Sequence, residues 1–352
     1  IPLLKGKKVG VVAHAASQIY TQKNAVHLID SLKSHGINIV SIFAPEHGFR
    51  SREDNGALIR DEIDSLTQIP IISLHGENRK PRPEHLNEID VLLFDLQDVG
   101  ARFYTYLSTL HLVMEACGEN NTPMIILDRP NPNGHYVDGP VMEDAFKGYL
   151  GKHNIPIVHG LTLGEFAKMI NGEKWLNNQV QCQLTIVKNQ GYTHQTSYDL
   201  PLRPSPNLPN AQAINLYPSL CLFEQTPVSI GRGTEKQFQG YGHPSFKGDY
   251  SFIPQPNFGA KKPKLVGEKC FGVDLSSHPK LNRLELKWLM KAYADYPDKE
   301  NFFSARFVKL AGTKSLEEQI QNGWSEKAIR ESWEPQLSNF KKTRSNYLLY
   351  PN

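Results

Sequence analysis

The sequence predicts an α/β protein, with a Rossmann-like parallel sheet domain over residues 1–150 followed by a smaller α+β domain over residues 151–352. Three observations carry that reading. Short β-branched runs alternate with amphipathic helical stretches through the first 130 residues. The strand candidates are continuously apolar rather than alternating, as in a parallel sheet covered on both faces. With 352 residues the chain also exceeds the size at which one hydrophobic core usually stops growing, so two units are expected.

Taken in order, "KKVGVVAH" reads as the first strand, "KNAVHLIDSLKSHG" as a helix closed by Gly36, and "INIVSIF" as the second strand. "IPIISL" and "IDVLLFDL" give the third and fourth, "YTYLSTLHLVMEACG" a helix ending at Gly118, and "PMIILD" the fifth. This layout is doubly wound. Beyond residue 150 the rhythm loosens. "TLGEFAKMINGE" is a helix whose Thr162 and Glu165 stand at capping-box spacing, and "QCQLTIVKN" is a strand. "LPLRPSPNLPNAQAINLYPSL" holds too much proline for regular structure and too much Leu, Ile and Tyr for a disordered linker, so a packed irregular loop is expected. The last fifty residues predict one strand and two helices, and no internal repeat is present.

Composition excludes several classes. No segment approaches the roughly 18 apolar residues of a membrane-spanning helix. A net charge of +3, with Lys and Arg scattered, argues against nucleic acid as a partner. Cys117, Cys182, Cys221 and Cys270 lie far apart without a C-x-x-C pair, so neither a zinc ribbon nor a disulfide scaffold is indicated. The chain starts at Ile1 rather than Met, and a removed export signal, with a periplasmic or secreted bacterial location, is the expectation. There is no G-x-G-x-x-G after the first strand, no Walker A motif and no G-x-S-x-G elbow. No cofactor is expected.

Three predicted strands end in polar clusters. "IVSIF" runs into Glu46, His47 and Arg50; "IDVLLF" into Asp95, Asp98 and Arg102; "PMIIL" into Asp128, Arg129 and Asn131. In a parallel sheet these ends share one edge, and ligands bind in the crevice beyond it. Glu46, in the stiff turn between Pro45 and Gly48 with Ile42 and Phe43 behind it, is the best candidate for proton transfer. An ion pair with Arg50 or an N-cap contact would be its structural explanation. Asp98 would be fully explained by pairing with Arg102 at i,i+4 if the turn is helical. Tyr104 and Tyr106 suit either a sugar or the core. Downstream, Asn207 in "SPNLPN", Glu224 in "LFEQTP" and Arg232 between Gly231 and Gly233 stand out, a guanidinium on a glycine loop being a good clamp for an anion. Two other readings stay open on the residues: a non-catalytic sugar-binding protein, and a metal-dependent hydrolase using His47 with Asp95 and Asp98.

The stretches "FAPEHGFRS", "DLQDVGARFYTY", "LDRPNPNG", "PIVHGLTLGEFA", "SPNLPN", "LYPSLCLFEQTPVSIGRGT" and "RSNYLLY", in that order over nearly the whole chain, resemble the exo-β-N-acetylmuramidases of the NamZ type, glycoside hydrolase family 171, long catalogued as a domain of unknown function. The resemblance implies an exo-acting glycosidase that removes N-acetylmuramic acid from the non-reducing end of peptidoglycan fragments. It also implies an active-site cleft between the two domains, with Glu46 of P-E-H-G as catalytic acid; the residues themselves offer Asp95, Asp98 or Glu224 as the second carboxylate. Two departures stand out: Ala13–Ser17 replaces the family's T-N-Q-T-G after strand one, and His75 stands where a tyrosine is expected.

Overall fold

The computed structural model describes residues 1–20, 24–46, 49, 62–76 and 78–352. Its centre is a seven-stranded sheet ordered Leu184–Val187, Met124–Leu127, Val91–Asp95, Lys8–Ala13, Asn38–Ala44, Pro70–Ser73, Glu62–Ile63. The first six run parallel, and Glu62–Ile63 adds an antiparallel edge. The first strand in sequence lies mid-sheet and the chain winds outward to both sides, which is the doubly wound order.

Side chains along each central strand alternate between two buried clusters. Val12, Phe43, Leu92 and Phe94 face one, and Val11, Ile42, Leu93 and Ile125 the other. Both faces are therefore covered, which is why these segments are apolar throughout. Gly10 allows the sheet to pack closely, since a Cβ there would stand 2.5 Å from Ile89 Cδ1. The larger cluster continues through Phe166, Phe223 and Phe302 to Phe340, so the two halves of the chain share one core.

The sheet draws its sixth parallel strand, Leu184–Val187, from beyond residue 150. Around it the later chain adds the antiparallel pair Asp138–Val141 and Pro156–Val158 and a three-stranded antiparallel sheet of Gly240–His243, Cys270–Asp274 and Tyr250–Phe252. The capping box of the Leu163–Gly172 helix forms as expected, Thr162 and Glu165 each accepting from the other's backbone N–H.

Two expectations are corrected. The proline-rich passage contains a helix, Ala211–Leu220, capped by Asn210 and carrying Pro218 inside it. Pro218 has no N–H for the Ile214 carbonyl four residues back, and Asn133 Nδ2 supplies the missing donor at 2.9 Å. Near the C-terminus the expected strand is absent among the described residues, and Phe307–Ala311, Ser315–Gln321 and Glu326–Ser345 are three helices. Phe302, Phe303 and Phe307 are apolar because they fill the core from turns and a short helix.

Candidate active site

Glu46 follows Asn38–Ala44 at the carboxyl edge of the sheet. Its Oε2 accepts a 2.8 Å hydrogen bond from Thr105 Oγ1, in the turn that opens the helix Tyr106–Glu119. Its backbone carbonyl accepts from the Tyr106 hydroxyl at 3.4 Å. Tyr106 is itself held by His14, whose Nδ1 lies 3.2 Å from the phenol oxygen. The Gln97 N–H donates to His14 Nε2 at 3.1 Å, so the ring proton sits on Nδ1 and is given to Tyr106. His14 thus anchors the turn that carries Glu46. It does so beside the point where the strand order reverses, between Lys8–Ala13 and Val91–Asp95.

The cleft lies further along, with a volume of about 230 Å³. Glu46, Thr105 and the rings of Tyr104 and Tyr106 form one wall; Glu224, Arg232 and Asn207 belong to the other. Glu224 sits in a 3-10 turn, Cys221–Gln225, continuing the Ala211–Leu220 helix. Lys264 Nζ fixes that turn from behind, donating to Phe223 O at 2.8 Å and Thr226 O at 2.7 Å. Burial, helped by the Arg232 charge, lowers the Lys264 pKa to about 8 although Glu224 opposes the shift. Arg232 Nε donates to Glu224 Oε1 at 2.5 Å, and its guanidinium lies 5.2 Å from the centre of the Phe238 ring. Burial disfavours the Arg232 charge, but Glu224 outweighs it and raises the Arg232 pKa above its ordinary value. Gly231 and Gly233 have φ of 77° and 78°, conformations that a side chain would strain.

The remaining strand-end residues have other partners. Asp95 is buried in a two-pronged pair with Arg129, whose Nε and Nη2 donate at 2.5 and 2.8 Å. Asp98 accepts from Gly100 N at 2.6 Å and faces His159 at 3.6 Å. The expected Asp98–Arg102 pair does not form, because the helix begins only at Tyr106 and residues 98–102 have no i,i+4 geometry. Arg102, 1% exposed, instead donates to the carbonyls of Pro140, Ile155, Leu310 and Ala311. Burial lowers its pKa to about 9. Asp128 accepts from Thr162 Oγ1, Gly164 N and Tyr350 Oη, and burial nonetheless raises its pKa. Asn131 bridges Leu161 O and Asn133 N. Asp95, Asp98, Arg102, Asp128, Arg129 and Asn131 are thus engaged in joining elements and are not among the cleft-lining residues. His47 and Arg50 lie outside the described residues. Among the described residues no group of three or more His, Cys, Asp or Glu side chains is placed to hold a metal.

Thr105, Ser205, Tyr217, Phe238 and Lys264 also belong to the site and its support, beyond the residues expected there. Thr105 was within reach, standing between two tyrosines singled out for the site. Tyr217 was not, because its helix was hidden by Pro218.

Residues 9–212 match the family model for the N-terminal part of the exo-β-N-acetylmuramidase NamZ, and residues 215–350 that for its C-terminal part. A peptidoglycan β-N-acetylmuramidase NamZ of Bacillus subtilis is 36% identical over 99% of this chain and 88% of its own length. Two crystal structures of DUF1343 family proteins from Bacteroides fragilis superpose on the chain. One is 43% identical with a TM-score of 0.92, covering 100% of this chain and 96% of its own. The other is 28% identical with a TM-score of 0.84, covering 99% and 95%. The chain belongs to the NamZ family of exo-β-N-acetylmuramidases.

Proposed function

We propose that this cleft hydrolyses the β-glycosidic bond of an N-acetylmuramic acid residue at the non-reducing end of peptidoglycan fragments, with Glu46 as general acid. The supporting observation is that Glu46 and Glu224, the carboxylates lining the cleft among the described residues, are held by different partners. Thr105 donates to one oxygen of Glu46, which leaves the other to carry a proton to the departing sugar oxygen. Glu224, charge-paired with Arg232, suits the role of the ionised second carboxylate that stabilises positive charge at the anomeric carbon or activates its attacker. Asp95 and Asp98, buried in other bonds, are less suited to that role.

Muramic acid differs from glucosamine by a lactyl carboxylate. Arg232 is assigned to it, because its Nη groups have no protein hydrogen bond among the described residues while Nε is fixed by Glu224. A wall-derived substrate favours action in the periplasm or outside the cell, in the turnover and recycling of wall material.

The test is turnover of a chromogenic N-acetylmuramide, together with release of free N-acetylmuramic acid from peptidoglycan fragments. Catalytic release of the terminal sugar supports the proposal. Binding without release would leave a sugar-binding protein.

A further inference from the structure

The side-chain amide of Asn207 is 1% exposed, lines the cleft, and has one half of its hydrogen-bonding capacity unused. Its Nδ2 donates to the Gly259 carbonyl at 2.5 Å, which settles which end of the amide is nitrogen. Its Oδ1 has no partner among the described residues. A buried carbonyl oxygen left unbonded is costly, and such groups are rare unless a ligand completes them.

The backbone holds this oxygen in place from several sides. Asn207 N–H donates to Ser205 Oγ, and Leu208 N–H to Ser205 O, forming a tight turn over Ser205–Leu208. The Tyr104 hydroxyl ties that turn to the opposite wall by donating to Pro204 O at 2.6 Å. Gly259 belongs to a second turn in which Asn257 Oδ1 accepts from Gly259 N and Ala260 N. A Cβ on Gly259 would stand 3.1 Å from Asn207 Oδ1, so the glycine leaves the oxygen uncrowded. Asn207 is therefore a preset acceptor and not a flexible surface amide.

The chemistry around it selects what it accepts from. Leu208, Phe103, Tyr217 and Phe238 are the apolar part of a lining that also holds Ser205, Gln225 and Arg232, with Tyr217 packed on Tyr104, Phe103 and Phe238 at ring distances of 6.0, 5.5 and 5.1 Å. A sugar hydroxyl placed there would satisfy Asn207 but bring acceptor lone pairs of its own that need donors in turn. A secondary amide N–H is a donor only, and in an acetamido group it is joined to a methyl that apolar walls accommodate. Resting on the muramidase reading above, we propose that Asn207 Oδ1 accepts the N–H of the substrate's 2-acetamido group, making Asn207 the residue that selects N-acetylated over non-acetamido sugars.

The test needs ligands that cannot turn over. Titration calorimetry would compare the S-methyl thioglycoside of N-acetylmuramic acid with its analogue in which an ester oxygen replaces the acetamido nitrogen. Shape and methyl group are kept and the N–H is lost. The wild type is expected to bind the amide about 10- to 100-fold more tightly, as follows from leaving a buried acceptor unmade. Asn207→Leu, whose folding is checked by its melting temperature and circular dichroism, is expected to bind both ligands within about twofold of each other. Equal binding of the two ligands by the wild type would overturn the inference, and so would a folded Asn207→Leu that kept the full preference. Should the variant fail to fold, the wild-type pair of ligands decides alone. A wild type that bound neither ligand and released no muramic acid would overturn the muramidase reading, and this inference with it.

Discussion

Thr105 Oγ1 donates a 2.8 Å hydrogen bond to Glu46 Oε2, and this bond occupies one oxygen of the carboxyl group. With Oε2 accepting from that hydroxyl, the proposed transferable proton is on Oε1. Thr105→Val keeps the shape and removes the donor. Its kcat on a muramide with an unactivated leaving group is expected to fall by about tenfold, with KM nearly unchanged, since the lost bond orients the acid and does not bind the sugar. Steady-state kinetics on the purified variant checks both numbers.

Arg232 has a double task in this account, and its removal separates the two. Arg232→Ala leaves Glu224 without the partner at 2.5 Å and the lactyl carboxylate without a fork. The kcat/KM for the N-acetylmuramide is expected to fall by about 10²-fold or more, while that for the matching N-acetylglucosaminide falls less. Measuring the ratio of the two substrates is the check. An unchanged ratio would take the lactyl role away from Arg232, whatever happened to the absolute rate.

Arg102 was expected at the site and instead cross-links the scaffold. Its guanidinium donates to four carbonyls, two of them in the Phe307–Ala311 helix more than 200 positions away in sequence. Arg102→Met fills part of the volume and leaves those carbonyls without a donor. Stability in urea is expected to drop on the order of 3 kcal/mol, and the preference for muramide over glucosaminide to stay as in the wild type. A variant of normal stability with altered preference would return Arg102 to the site.

Glu165 is a buried carboxylate that fastens the C-terminal segment. It accepts from His194 Nε2 at 3.0 Å, Leu349 N at 2.8 Å and Thr162 N at 2.9 Å. Burial alone would raise its pKa, but the His194 bond and charge, with the backbone donors, bring it below the ordinary 4.5. A carboxylate with a depressed folded-state pKa adds stability that is complete above its unfolded pKa and is lost as pH falls through the folded one. Glu165→Gln is therefore expected to be less stable than the wild type by about 1–3 kcal/mol at pH 7. The gap should narrow as pH falls below 4.5, because the wild type then loses what the variant never had. Urea melts of both proteins across that range test the sign.

Much of the architecture was legible because continuous apolar runs such as Val9–Ala13 and Val91–Phe94 have no other place than a sheet buried on both faces. Glu46 was legible for a related reason, standing in a Pro-Glu-His-Gly turn directly after such a run. The Ala211–Leu220 helix was not, since its Pro218 is tolerated only because Asn133, far away in sequence, bonds the carbonyl that proline leaves bare. Polar residues at strand ends announced that something happens at that edge. They did not reveal that Asp95 and Arg129 satisfy each other, or that Asp128 is taken by Thr162 and Tyr350. Pairings of that kind depend on which segments meet, and local sequence carries no record of them.

The central claim is that Glu46 supplies the proton to the leaving sugar, and Glu46→Gln tested on two leaving groups addresses it most directly. The substitution keeps the shape and the bond from Thr105 but removes the transferable proton. With an ordinary sugar leaving group the rate of glycosidic cleavage is expected to fall by about 10²–10⁴-fold, and with an activated nitrophenyl leaving group, which departs with little protonation, by far less. Equal damage to both substrates would contradict the assignment and point to Glu46 as nucleophile or base, and an undiminished rate on both would remove Glu46 from the chemistry.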